Sequence, residues 1–170
     1  LDARDEAKAL VAARNEEVVR NALAAAALEA DGANSSGANS SGVSSRASGP
    51  SLRLGFVSRS DSTLRGHYPL EPDVIAATVA EVSGEKTDGV VLVPAFPDAG
   101  RVTIGGAHYM RGTGEAAGTL TPVSETEFAR DATFGFTTSV MADYIEEKSQ
   151  GRFAADSVIV LDLNTIRAGA

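Results

Sequence analysis

Between Leu52 and Val93 the chain sets two short apolar runs on either side of one helical pattern, and that order leaves few folds open. Leu52 to Val57 is short, mostly apolar and bounded by breakers, as a buried strand is. Pro69 to Val82 reads as a helix, with Pro69 near its first turn and Glu71 well placed against the positive end of the helix dipole. Gly89 to Val93 is a second apolar run, stopped by Pro94. Strand, loop, helix, strand is a βαβ unit, which implies a parallel sheet with a right-handed crossover. The sequence therefore predicts an α/β, three-layer domain with a mainly parallel, Rossmann-like sheet.

The rest of the chain extends that reading. Ala3 to Ala30 favours helix through its alanine, leucine, glutamate and arginine content. Val11, Val18, Ala22 and Ala25 fall on one face at helical spacing, and Glu16 can pair with Arg20 one turn on. Residues 31–51 repeat Gly, Ala, Asn and Ser and bury too little apolar area to offset their ordering entropy; they read as a flexible insertion within one domain. Val102 to Met110 forms one or two short strands broken at Gly105-Gly106, and Arg111 to Thr121 is a loop. Pro122 to Thr138 is irregular, with Phe128, Phe134 and Phe136 as anchors. Val140 to Gln150 is a helix capped by Ser139 and stopped by Gly151. Val158 to Leu163 reads as a further buried strand, and Ile166 opens another helix.

Composition removes several functions. Net charge is -8, which argues against a nucleic-acid-binding face. There is no cysteine, so disulfides and thiolate metal sites are excluded, in keeping with a cytoplasmic location. No apolar stretch approaches the roughly 20 residues a membrane helix needs, so no membrane role is expected. The two histidines, His67 and His108, lack neighbouring ligands and make no zinc site. No Walker-type phosphate loop occurs; Gly112-Thr113-Gly114-Glu115 lacks the lysine and the following helix.

Chemistry concentrates in Ser58 to His67, where two arginines, an aspartate, four hydroxyls, a glycine and a histidine crowd one loop. Arginine offers paired donors to a carboxylate or phosphate, and hydroxyls with an aspartate suit sugar hydroxyls. Residue types alone divide evenly between a ligand site and a capped loop in which Asp61 accepts backbone amides and Arg65 forms a surface ion pair. The loop from Pro94 to Gly100 is stiffened by two prolines and ends in Arg101. In a βαβ unit both loops leave the carboxyl ends of strands, where ligands bind. Residues 125–131 are dense in charge, and a solvated loop pinned by Phe128 is favoured there over acid–base use of Glu125 and Glu127.

Four segments, SRSDSTLRGHYPLE, VPAFPDAGRVT, AHYM and PVSETEFARDATFGF, resemble in order the motifs of the four-carbon acid sugar kinases, from Ser58 to Phe136. Such proteins join an N-terminal acid-sugar-binding domain to a C-terminal nucleotide-binding domain. The resemblance makes residues 1–170 an incomplete N-terminal domain: the family's acidic opening strand is expected before Leu1, and its nucleotide domain beyond Ala170. It implies that Arg65 and Arg101 hold the carboxylate of a sugar acid, that Asp61 and Ser62 orient hydroxyls, and that Arg59 stands near. It assigns ATP and Mg2+ to the C-terminal domain and leaves the general base open. It raises interest in Thr126 and Asp131 and gives His108-Tyr109 a family-like motif. The alternatives are a non-enzymatic sugar-acid-binding or regulatory module, an inactive truncated remnant, and a hydrolase using Ser62 with His67, which lacks the nucleophile-elbow pattern.

Overall fold

The computed structural model describes residues 3–35 and 54–169. They fall into two compact units, one of Leu1–Ser58 with Leu70–Gly89, the other of Arg59–Pro69 with Val90–Ala170.

The first unit is a helix pair. Helix α1 runs Ala3–Ser35 and helix α2 runs Leu70–Ser83. Asp5 and Glu6 lie in the first turn of α1, and Glu71 and Asp73 in that of α2, all favourable against the dipole. Gly84 closes α2 in the left-handed conformation, its amide donating to the Ala80 carbonyl at 3.0 Å. The two helices pack on each other. Arg20 donates to Glu16 one turn back at 2.9 Å and to Glu81 of α2 at 2.7 Å. Val19 of α1 is buried, and Val11, Asn15, Ala22 and Ala26 on its face are half-buried. The predicted face holds at Val11 and Ala22 and fails at Ala25 and Val18: Val18 is 64% exposed, and its neighbour Val19 is 1% exposed. Two adjacent valines fit either phase, and contact with α2 selects one. The helix also runs five residues past Ala30, so the start of the predicted insertion is helical; residues 36–51 of that insertion lie outside the described residues.

The second unit holds the sheet. Strands β1 (Arg101–Ile104), β2 (Ala107–Arg111) and β3 (Leu120–Pro122) form an antiparallel meander in the order β1-β2-β3. Thr103 faces His108 and Arg101 faces Met110 across the first pair. Gly105 and Gly106, both at positive φ, make the two-residue turn that such a hairpin demands. Helix α3 spans Met141–Lys148 and α4 spans Leu163–Ala168. The core gathers Leu64, Val123, Ala129, Phe136, Met141 and Tyr144, with Tyr68, Leu92, Met110 and Ile145 against it.

Three expectations are corrected here. The predicted strands at 52–57, 89–93 and 158–163 form no ladder among the described residues, and the parallel sheet built from them is not among the described elements. Val57, Val91 and Ile159 are each about 85% exposed, so apolar composition alone did not bring these runs a partner. Ser139 does not cap α3, because its hydroxyl is taken by Ser124: it donates to the Ser124 hydroxyl and accepts from the Ser124 amide, both at 2.8 Å. The last helix begins at Leu163 rather than Ile166, because Asp162 accepts the Thr165 amide at 2.7 Å and caps it.

Candidate functional site

Ser58 to His67 is held from inside and from outside. Within the loop, Asp61 Oδ1 accepts the Thr63 amide at 3.0 Å, and Oδ2 accepts the Thr63 hydroxyl at 2.6 Å. Arg65 adds Nε at 2.9 Å and a second guanidinium nitrogen at 2.7 Å to the same Oδ2. Desolvation pushes the Asp61 carboxyl up, but the bonds from Thr63 and Arg65 outweigh it and hold the pKa below the ordinary value. Both carboxylate oxygens thus serve the turn itself. This is the capped-loop geometry of the two alternatives: Asp61 accepts the Thr63 amide and forms an ion pair with Arg65.

From outside, two side chains distant in sequence reach loop carbonyls. His108 Nε2 lies 2.8 Å from the Ser62 oxygen. The Tyr144 hydroxyl donates to the Leu64 oxygen at 3.1 Å. Leu64 sits at φ 65°, a left-handed conformation costly for a branched side chain, which persists only where the surroundings fix it. Burial drives the Tyr144 phenol above its ordinary pKa, so it remains a donor at neutral pH. Gly66 admits the Ser60 side chain: a Cβ there would meet the Ser60 hydroxyl oxygen at 1.8 Å.

Arg65 stacks over Phe128, guanidinium carbon to ring centroid 4.7 Å. With Asp61 below and Phe128 beside it, the guanidinium has one posture and a side chain still 37% exposed. Its charge also reaches Asp131, whose carboxyl is held down first by the Phe134 and Thr133 amides. The Ser62 hydroxyl is half-buried and has no hydrogen-bond partner among the described residues.

Arg101 opens β1 at the foot of the proline loop. That loop is closed by the reciprocal bonds of Phe96 and Arg101, at 2.8 and 3.0 Å, and by Gly100 at φ 76°. One terminal nitrogen of Arg101 donates to the Ala99 carbonyl at 2.8 Å. Its Nε is buried without a partner among the described residues. Arg101 and Thr103 share one face of β1 by strand alternation, and His108 stands opposite Thr103.

Arg59 is exposed. His67 packs edge-on against Phe134 at 4.9 Å, and no hydrogen bond joins it to the Ser62 hydroxyl, which leaves the hydrolase reading without its dyad. Glu125 and Glu127 are exposed, Thr126 returns its hydroxyl to the Val123 carbonyl, and Asp98 is exposed in its turn. Tyr109 points to the face of β2 opposite His108. Sequence reasoning singled out His108 without a role and passed over Tyr144. The hairpin turn at Gly105-Gly106 was the signal that places His108 beside Thr103.

In the loop between β2 and β3 the Gly112 amide donates to Thr119, Ala116 to Thr113 and Ala117 to Gly114. No group of three or more His, Asp or Glu side chains suited to a metal ion occurs among the described residues. No helix among them is long and apolar enough to cross a membrane.

Residues 3–170 match the model of the sugar-binding N-terminal domain, and the chain belongs to that family. No curated protein and no solved structure matches it. Membership gives the domain a ligand class, a sugar.

Proposed function

We propose that this chain is the acid-sugar-binding part of an ATP-dependent kinase that phosphorylates a four-carbon sugar acid in the cytoplasm. Family membership supports the sugar. The observation that carries the acid is Arg101, a guanidinium fixed by Ala99 yet left with a buried N–H lacking an acceptor. An unmet buried donor costs about 1–3 kcal/mol. An anion entering beside it would offset that cost. Arg65, posed by Asp61 and Phe128, offers the second cation, and the open Ser62 hydroxyl suits a sugar hydroxyl. The order of motifs along the chain supports the kinase and the four-carbon substrate.

No step through ATP or Mg2+ is derived from the residues described. Both are left to a nucleotide-binding domain of the intact protein. This chain's residues bind the acid and orient its hydroxyls.

Calorimetric titration with L-threonate, D-erythronate and the matching alcohols threitol and erythritol tests the reading. At least one acid should bind roughly tenfold or more tightly than its alcohol, as one charge-assisted hydrogen bond implies. Arg101→Ala should erase that difference. Equal binding of acid and alcohol by the unaltered chain would remove the acid from the account. ATP turnover by the intact protein that does not depend on the acid would remove the kinase.

A further inference from the structure

His108 is the most deeply buried titratable side chain described, with 0% exposure, yet nothing in the ligand-binding reading uses it. Nε2 lies by the Ser62 oxygen and Nδ1 by the Thr103 hydroxyl, and the Val102 backbone also acts on the ring. A carbonyl oxygen can only accept, so Nε2, at 2.8 Å from the Ser62 oxygen, carries a proton and donates. Nδ1 of the neutral ring is then an acceptor, and the Thr103 hydroxyl, at 2.9 Å, donates to it. The neighbouring charge is Arg101, two residues before Thr103 on the same strand face, and a second cation beside it is unfavourable in a buried site. The ring therefore ties the loop to the hairpin: one nitrogen holds Ser62, and the other is oriented by the strand that carries Arg101.

We infer that His108 is a positioning residue of the candidate site, acting as the neutral, Nε2-protonated imidazole that fixes Ser62 by its carbonyl and so sets the Ser62 hydroxyl at a defined place relative to Arg101. The inference rests on the ligand-binding reading for its purpose, though the tautomer and the hold on the loop are testable without any ligand. His108 touches no substrate in this account. It decides where the groups that do touch it stand, and a displacement of about 1 Å in such groups is costly to recognition.

The experiment uses the whole chain and three variants. His108→Leu fills a similar volume and cannot donate. His108→Gln can place an amide N–H near the Nε2 position. Thr103→Val leaves the ring but removes the donor that orients it. Two-bond 1H–15N spectra should show the Nε2–H tautomer at pH 7 in the unaltered chain. Amide exchange at Thr63 and Leu64 should quicken at least tenfold in His108→Leu, stay near the original in His108→Gln, and change by an intermediate factor in Thr103→Val. Exchange in the β1–β2 ladder is the internal standard. Titration with threonate and erythronate should show a tenfold or greater loss in His108→Leu, with Gln restoring most of it. An Nδ1–H tautomer, an imidazolium at pH 7, or loop exchange unchanged in His108→Leu would overturn the inference. If His108→Leu does not fold, the tautomer and the Thr103→Val exchange decide it. If the unaltered chain binds neither acid but the exchange results hold, the ligand reading fails and the positioning of the loop stands.

Discussion

Tyr144 donates its buried hydroxyl to the carbonyl of Leu64, 80 positions earlier in the chain, and Leu64 is in a left-handed backbone conformation. The bond fastens a strained residue of the candidate loop to helix α3. Tyr144→Phe keeps the ring contacts with Phe136 and Tyr68 and removes only the donor. It should lower stability by about 1–2 kcal/mol, the cost of a lost buried hydrogen bond and an unpaired carbonyl. Chemical denaturation of the two proteins measures it. A difference within error would show that the ring alone holds the loop.

Gly66→Ala should destabilise the chain, because the added methyl occupies the place of the Ser60 hydroxyl. Gly66 has no positive φ, so the backbone itself accepts alanine. The conflict is with one side chain, and Ser60→Ala in the same protein should relieve most of it. A double variant as unstable as Gly66→Ala alone would place the cost elsewhere. Melting temperatures of the three variants form the cycle.

The pH dependence of stability should carry the mark of His108. Desolvation, helped by the Arg101 charge, holds its folded pKa below the ordinary 6.5, against the pull of the Ser62 and Val102 backbone. The folded chain then binds fewer protons at this site than the unfolded chain. Stability is fully present above about pH 6.5 and falls as pH drops below it, by at most about 1.4 kcal/mol per pH unit. Asp61 and Asp131, whose folded pKa values lie below 3.8, lose their contributions only at more acid pH. Denaturation between pH 7 and 5 should show a slope that His108→Gln diminishes. Equal slopes in the two proteins would sink the prediction.

Val19→Ala should cost about 2 kcal/mol and Val18→Ala less than about 0.5 kcal/mol. The two are adjacent in α1, but only Val19 is enclosed. The reverse order of effects would restore the helix face that sequence periodicity suggested.

How much was legible follows from which forces are local. Helix α2 was readable within one residue at each end, because Pro69, Glu71 and the following pattern act through neighbours in the chain. The break at Gly105-Gly106 was readable, and the structure makes it the turn of a hairpin with positive φ twice. The Glu16–Arg20 pair followed from spacing alone. The face of α1 was readable at Val11 and Ala22 but not at Val18, because Val18 and Val19 differ only in what faces them. The runs around Val91 and Ile159 have strand composition, but composition does not supply a pairing partner. In the site, Asp61, Ser62, Arg65 and Arg101 stood out by residue type, although Asp61 spends its oxygens on Thr63 and Arg65. The hold of His108 and Tyr144 on the loop joins residues far apart in sequence, which no local pattern encodes.

That separation also sets an order of events. The β1–β2 ladder closes within the span from Arg101 to Met110, a short loop with a small entropic cost. The bonds that pin Ser62 and Leu64 span 46 and 80 positions and wait for chain segments to meet. During refolding, pulse-labelled exchange should therefore find the hairpin amides protected before those of Thr63 and Leu64. Simultaneous protection would argue against this sequence. A newly made chain would thus pass through a stage in which its sheet is in place and its candidate loop is still unfastened.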